Sequence, residues 1–103
     1  MEQTTMQGLT PTISVMVPVD VDLTEALHVY PSIKQIGVAL VRPEIFDVSE
    51  HQVDLYLTQE ETLKLMPGPA EVQVNWTYSS GQRGAIYPVK IRVLENHLLE
   101  VLD

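Results

Sequence analysis

The stretch AEVQVNWTYSSGQRGAIYPVKIRVL, residues 70–94, decides how this chain folds. Val72, Val74, Trp76 and Tyr78 alternate strictly with Glu71, Gln73, Asn75 and Thr77. A helix would scatter these side chains around its circumference, whereas a strand sorts them onto two faces. Ser79 to Gly84 (SSGQRG) carries two glycines and reads as a hairpin loop, with both glycines in positive-φ turn positions. The return segment, Ala85 to Leu94, sets Val89, Ile91 and Val93 to one side and Lys90 and Arg92 to the other. The pattern predicts two paired strands with an apolar face over a dry interior and a polar face toward water.

Upstream, Val53, Leu55 and Leu57 alternate with Asp54 and Tyr56, which predicts another strand. Thr58 followed by Glu61 forms a capping box, so Gln59 to Leu65 is expected to make one or two helical turns, with Leu63 and Leu65 facing the core. Met66-Pro67-Gly68-Pro69 stops that helix. Near the start, Ile13, Val15, Val17 and Val19 alternate over Thr12 to Val19, and Pro18 marks an edge or an end. Asp20 to Thr24 is a turn. Glu25 to Lys34 is expected to be a strand with Leu27, Val29, Pro31 and Ile33 on one face, and Pro31 implies a bulge or an edge there. A short helix over Leu23 to Val29 is the alternative for its beginning. Further strands are expected over Val38 to Arg42 and, more weakly, Phe46 to Val48.

Six or seven short antiparallel strands, with a short helical turn before the penultimate one, indicate an all-β domain and, more specifically, an immunoglobulin-like sandwich. The disulfide cysteines and the tyrosine-corner spacing of that fold are missing, so the likeness is architectural. The chain divides into a polar tail over residues 1–10, the sandwich over 11–95, and a C-terminal tail or short helix over 96–103 with Asn96 as its cap.

Composition narrows the function classes. Fourteen acidic residues against six basic ones give a charge of −8 over 103 residues. The basic residues, Lys34, Arg42, Lys64, Arg83, Lys90 and Arg92, do not cluster in sequence. Neither nucleic acid nor an anionic membrane is therefore expected as a partner. The absence of cysteine removes disulfides, thiolate catalysis and zinc–thiolate sites. The opening residues, MEQTTMQGLTPT, lack the basic and apolar regions of a secretory signal, which predicts a protein made in the cytoplasm.

Three stretches, DLTEALHVYPSIKQIG, VDLYLTQEETLKL and AEVQVNWTYSSGQRGAIYPVKIRVLENHLLEVL, resemble small immunoglobulin-like structural proteins of tailed phages and prophages of Gram-positive, often gut, bacteria. They are similar in style to the N-terminal domain of baseplate upper proteins. The resemblance implies a virion protein associated with the tail or baseplate, and it brings no catalytic residues. Pro31 departs from the smoother second strand of that pattern.

No constellation of catalytic groups is evident. His28, His51 and His97 lack metal-pair spacing, and no cofactor or metal is expected. Asp20, Asp22 and Glu25 offer oxygen ligands, but they lack the remaining ligands and the glycine of a calcium loop, and read as an acidic turn capped by Asp22 or Thr24. Glu60 and Glu61 suit a helix N-terminus better than acid–base work. Trp76 shares a face with Val72 and Val74 and is expected in the core. Tyr78, Arg83 and Tyr87 beside the 79–84 loop, with Leu98 and Leu99 in the tail, are the candidate partner contacts. The expectation is a non-enzymatic module acting through protein–protein contacts, including contacts between its own copies. The alternative is a carbohydrate-binding or adhesion module using Tyr78, Tyr87 and Trp76.

Overall fold

The alternation over residues 70–94 becomes the centre of the larger of two sheets in the computed structural model, which describes residues 3–97. In chain order the elements are β1 (Gln3–Met6), β2 (Thr12–Met16), a 3-10 turn (Leu23–Glu25), β3 (His28–Gln35), β4 (Ala39–Val41), β5 (Ile45–Val48), β6 (Gln52–Tyr56), α1 (Gln59–Leu63), β7 (Gly68–Thr77), β8 (Arg83–Ala85) and β9 (Val89–Leu94). The all-β class read from the sequence is what the chain adopts.

The larger sheet runs β1-β9-β7-β3-β4, with β8 also on β7, and the smaller runs β2-β6-β5. All pairings are antiparallel except β1 with β9. The return strand is broken in two. β9 pairs with Gly68–Val72 and β8 with Asn75–Thr77. Pro88, which has no N–H to give a ladder, lies in the interruption between them.

Both sheets turn one face inward onto a single core. Ile13, Val15, Val53 and Leu55 come from the smaller sheet, and Ile33, Val72, Val74, Trp76, Ile91 and Val93 from the larger. Each fully buried aliphatic side chain contributes roughly 1.5–3 kcal/mol. Leu23 of the 3-10 turn and Leu65 after α1 fill out the same cluster.

α1 starts where the capping box places it. Thr58 Oγ1 accepts from the Glu61 N–H, and Glu61 Oε1 accepts from the Thr58 N–H at 2.9 Å. The buried Glu61 also takes the Glu44 N–H at 3.2 Å, which ties the helix to the β4–β5 connection. Regular α geometry ends at Leu63 rather than Leu65, because the Lys64 and Leu65 N–H groups bond three residues back and tighten the last turn. Leu65 is fully buried and Leu63 only partly.

Several local expectations are corrected. Gln3–Met6, read as part of a tail, forms β1, since backbone pairing with β9 does not need an apolar stripe. β2 stops at Met16, and Val19 lies in the following turn, exposed. Leu27 is exposed too, because the 3-10 turn places Leu23 in the core and the inward face of β3 starts only at Val29. Pro31 makes no bulge against β7, where the register is continuous from His28 to Lys34. β4 pairs only with Ile33–Gln35, so Pro31 lies where the other side of β3 has no neighbouring strand. Gly84 is not a turn glycine but a residue of β8, while Gly81 holds the positive φ, 89°.

Candidate contact surface

The inward valines fix the opposite positions of β9, β7, β3 and β4 on the outer face of the larger sheet. The register then lines up Lys90, Glu71, Lys34 and Leu40 across the four strands. A second row sets Ala85, Asn75 and Tyr30 side by side, and a third Arg83, Thr77 and His28. Arg92 follows Lys90 on the same face of β9, opposite Pro69. Just past β4, Arg42 joins Tyr30, Leu40, Asn75, Thr77 and Arg83 around an open groove of about 310 Å³.

Five of the six lysines and arginines thus share one sheet face. Glu71 is the one carboxylate among these strand positions. Although it stands between Lys90 and Lys34, no lysine or arginine among the described residues forms an ion pair. Among those residues the nearest approach of opposite charges is His51 Nε2 to Glu50 Oε2 at 3.7 Å, an ion pair only when the imidazole is protonated. Arg83 Nη2 donates to Asn75 Oδ1 at 3.1 Å, which steadies the guanidinium without neutralising it. Tyr30 and Leu40 are 51% and 58% exposed, so apolar surface sits among the cations.

The outer face of the smaller sheet has the opposite character. Its strands carry no lysine or arginine. Asp47 and Asp54 stand directly opposite each other across β5 and β6. Gln52 Nε2 and Ser14 Oγ both donate to Asp54 Oδ1 at 2.7 Å. Those two side-chain bonds, Gln52 first, hold the Asp54 carboxyl below its ordinary value. The Tyr56 hydroxyl donates to Asp47 Oδ2 at 2.9 Å, and that bond is the main reason its own pKa is raised. Met16 and Ile45 are exposed alongside.

No protein-family model and no curated protein matches this sequence.

The residues singled out from the sequence fall in different places. Trp76 is in the core, and its Nε1 donates to the Tyr78 hydroxyl at 3.1 Å. Tyr78 is half-buried against that core. Tyr87 is 93% exposed, in the connection between β8 and β9. Of the three loop candidates, Arg83 is the one that lines the groove on the outer sheet face. Leu98 and Leu99 lie outside the described residues, as does most of the segment expected to form a terminal helix. Asn96 itself is docked on Gln7, with Nδ2 donating to the Gln7 carbonyl at 2.9 Å.

Asp22 does what the acidic-turn reading assigns to it. Its carboxylate caps the 3-10 turn and accepts from both the N–H and the hydroxyl of Thr24. The Thr24 side chain, then its backbone, lowers the pKa of Asp22 by bonding to the charged carboxylate. Among the described residues there is no group of three or more histidines and carboxylates placed to hold a metal ion.

Tyr30, Lys34, Leu40 and Arg42 are not among the candidate contacts read from the sequence. They are outward positions in or just past strands, and only the pairing of β9, β8, β7, β3 and β4 brings them beside Arg83 and Lys90.

Proposed function

We propose that this chain is a non-enzymatic contact module built on an immunoglobulin-like sandwich, and that it serves a protein assembly such as a phage tail or baseplate. The strand order supports the fold reading. Second, sixth and fifth strands face the first, ninth, seventh, third and fourth, with a helical turn between the sixth and seventh. The virion setting draws its support from the resemblance of the three quoted stretches to phage structural proteins.

The observation that carries the contact reading is the outer face of the larger sheet. It combines exposed Tyr30 and Leu40 with Lys34, Arg42 and Arg83, cations that no carboxylate of the described chain pairs. Tyrosine and arginine around an apolar centre are the composition that protein interfaces favour. A glycan platform has less support. Two of its three rings, Trp76 and Tyr78, are engaged with the core and with each other.

The test is a photo-crosslinking residue at position 30 in the full chain, produced in cells that carry the source gene neighbourhood. A crosslink to protein is expected at position 30 and none at position 60 on α1. Equal labelling at both positions, or none at either, would reject this face.

A further inference from the structure

The geometry points to a second copy of this chain as the partner of the basic sheet face, docked through the acidic outer face of the copy's smaller sheet. This inference rests on the contact-module reading above and adds the identity of the occupant.

The two outer faces are complementary in sign and similar in build. One presents Lys34, Arg42, Arg83 and Lys90 around Tyr30 and Leu40. The other presents Asp47 and Asp54 beside Met16 and Ile45, with Glu44 and Glu50 just beyond the ends of β5. Asp47 and Asp54, directly opposite on neighbouring strands, concentrate negative charge where an incoming cation meets both. Arginine, with its planar fork of donors, suits a carboxylate pair better than lysine. A polyanion such as nucleic acid answers the basic face less well. The whole chain carries −8, and Glu71 interrupts the cations at their centre.

The faces lie on opposite sides of the two-layer core, so the contact is head-to-tail. Each copy keeps one face open after docking, and the contact therefore builds stacks or rings rather than stopping at a dimer. Such a mode suits a component of a repeating particle. Because the contact is charged, salt must weaken it.

Sedimentation of the full chain tests this. At about 20 mM salt the wild type is expected to form species larger than a dimer as concentration rises toward about 1 mM, and about 0.5 M salt should weaken association at least tenfold. Arg42→Glu with Arg83→Glu reverses the charge around the groove of the basic face, and Asp47→Lys with Asp54→Lys reverses that of the acidic one. Each double variant alone should be monomeric. Mixed, they should associate, because each retains the face the other lost. Circular dichroism confirms that they fold, and Arg42→Glu alone, at a side chain with no hydrogen bond among the described residues, substitutes if the basic-face double variant does not.

A wild type that is monomeric throughout overturns the inference, as does association that ignores salt and both sets of reversals. Retention on heparin by a monomeric protein also overturns it, in favour of a polyanion. If position 30 still crosslinks to a different protein while the wild type is monomeric, the self-association falls and the contact module stands. If no crosslink forms either, both fall.

Discussion

The indole of Trp76 lies across Gly84, its direct partner on β8. A Cβ built on Gly84 would overlap Nε1, Cε2 and Cζ2 of that ring. The glycine is therefore required by close approach and not by backbone angle, and it lets the ring reach the core and bond to the Tyr78 hydroxyl. Gly84→Ala should destabilise the domain by about 1–3 kcal/mol, the usual penalty of overpacking. Trp76→Leu makes room for the new methyl, so the double variant should lose less than the sum of the two single losses. Urea unfolding of the four proteins measures this. Additive losses would show that the ring and the glycine do not compete for the same space.

Gln35 holds together the pole where α1 runs into β7. Its Nε2 donates to the carbonyls of Met66 and Pro69, at 2.7 and 3.3 Å, and its Oε1 accepts the Met66 N–H at 2.7 Å. The side chain is buried, so Gln35→Ala leaves these backbone groups without partners and should cost about 1–3 kcal/mol. Gln35→Glu keeps the acceptor but points a carboxylate at two carbonyls. Its loss should be larger at neutral pH and should shrink as acid protonates the new group, since a carboxyl disfavoured in the fold has a raised pKa. Denaturation midpoints of both variants at neutral and mildly acidic pH check this. A Gln35→Glu loss independent of pH would contradict the bonding scheme.

Legibility in the sequence followed side-chain period and failed where partners on other strands decide. Val72, Val74, Trp76, Ile91 and Val93 were readable as core because a strand over a dry interior must alternate. Thr58 and Glu61 were readable because a capping box is local in sequence. Gly84 was misread because its cause is the ring of Trp76 on the facing strand, which no local pattern encodes. Leu27 was misread because the 3-10 turn before it shifts which side chain enters the core. The basic face was invisible for the same kind of reason. Lys34, Arg42, Arg83 and Lys90 come from separate parts of the chain, and only sheet order unites them.

Acid should weaken the smaller sheet through Asp54. Hydrogen bonds from Gln52 and Ser14 lower its pKa in the folded chain below the ordinary 3.8. A depressed folded pKa contributes stability that is complete above the unfolded value and disappears as pH falls through the folded one. The loss should therefore fall between about pH 5 and pH 2. Asp54→Asn removes this contribution, so its stability should change less over that window than the wild type's. Adding Asp22→Asn, where Thr24 lowers the pKa in the same direction, should flatten the profile further. Urea midpoints measured across the window decide it, and parallel profiles for wild type and Asp54→Asn would count against these bonds.

Thr5 offers the opposite kind of change. It lies on β1, is only 7% exposed, and its hydroxyl oxygen has no hydrogen-bond partner among the described residues. Its backbone is paired in register with Val93, whose side chain belongs to the core. A buried hydroxyl without a partner costs about 1–3 kcal/mol relative to a satisfied one. Valine has nearly the same shape, replaces the hydroxyl with a methyl and favours strands. Thr5→Val should thus raise stability by about 1 kcal/mol, equivalent to a rise in Tm of about 4–8 °C for a domain of this size. Thr5→Ser keeps the hydroxyl and loses the methyl, so it should lower Tm. A Thr5→Val protein that melts at or below the wild-type temperature would show that the hydroxyl is satisfied in solution.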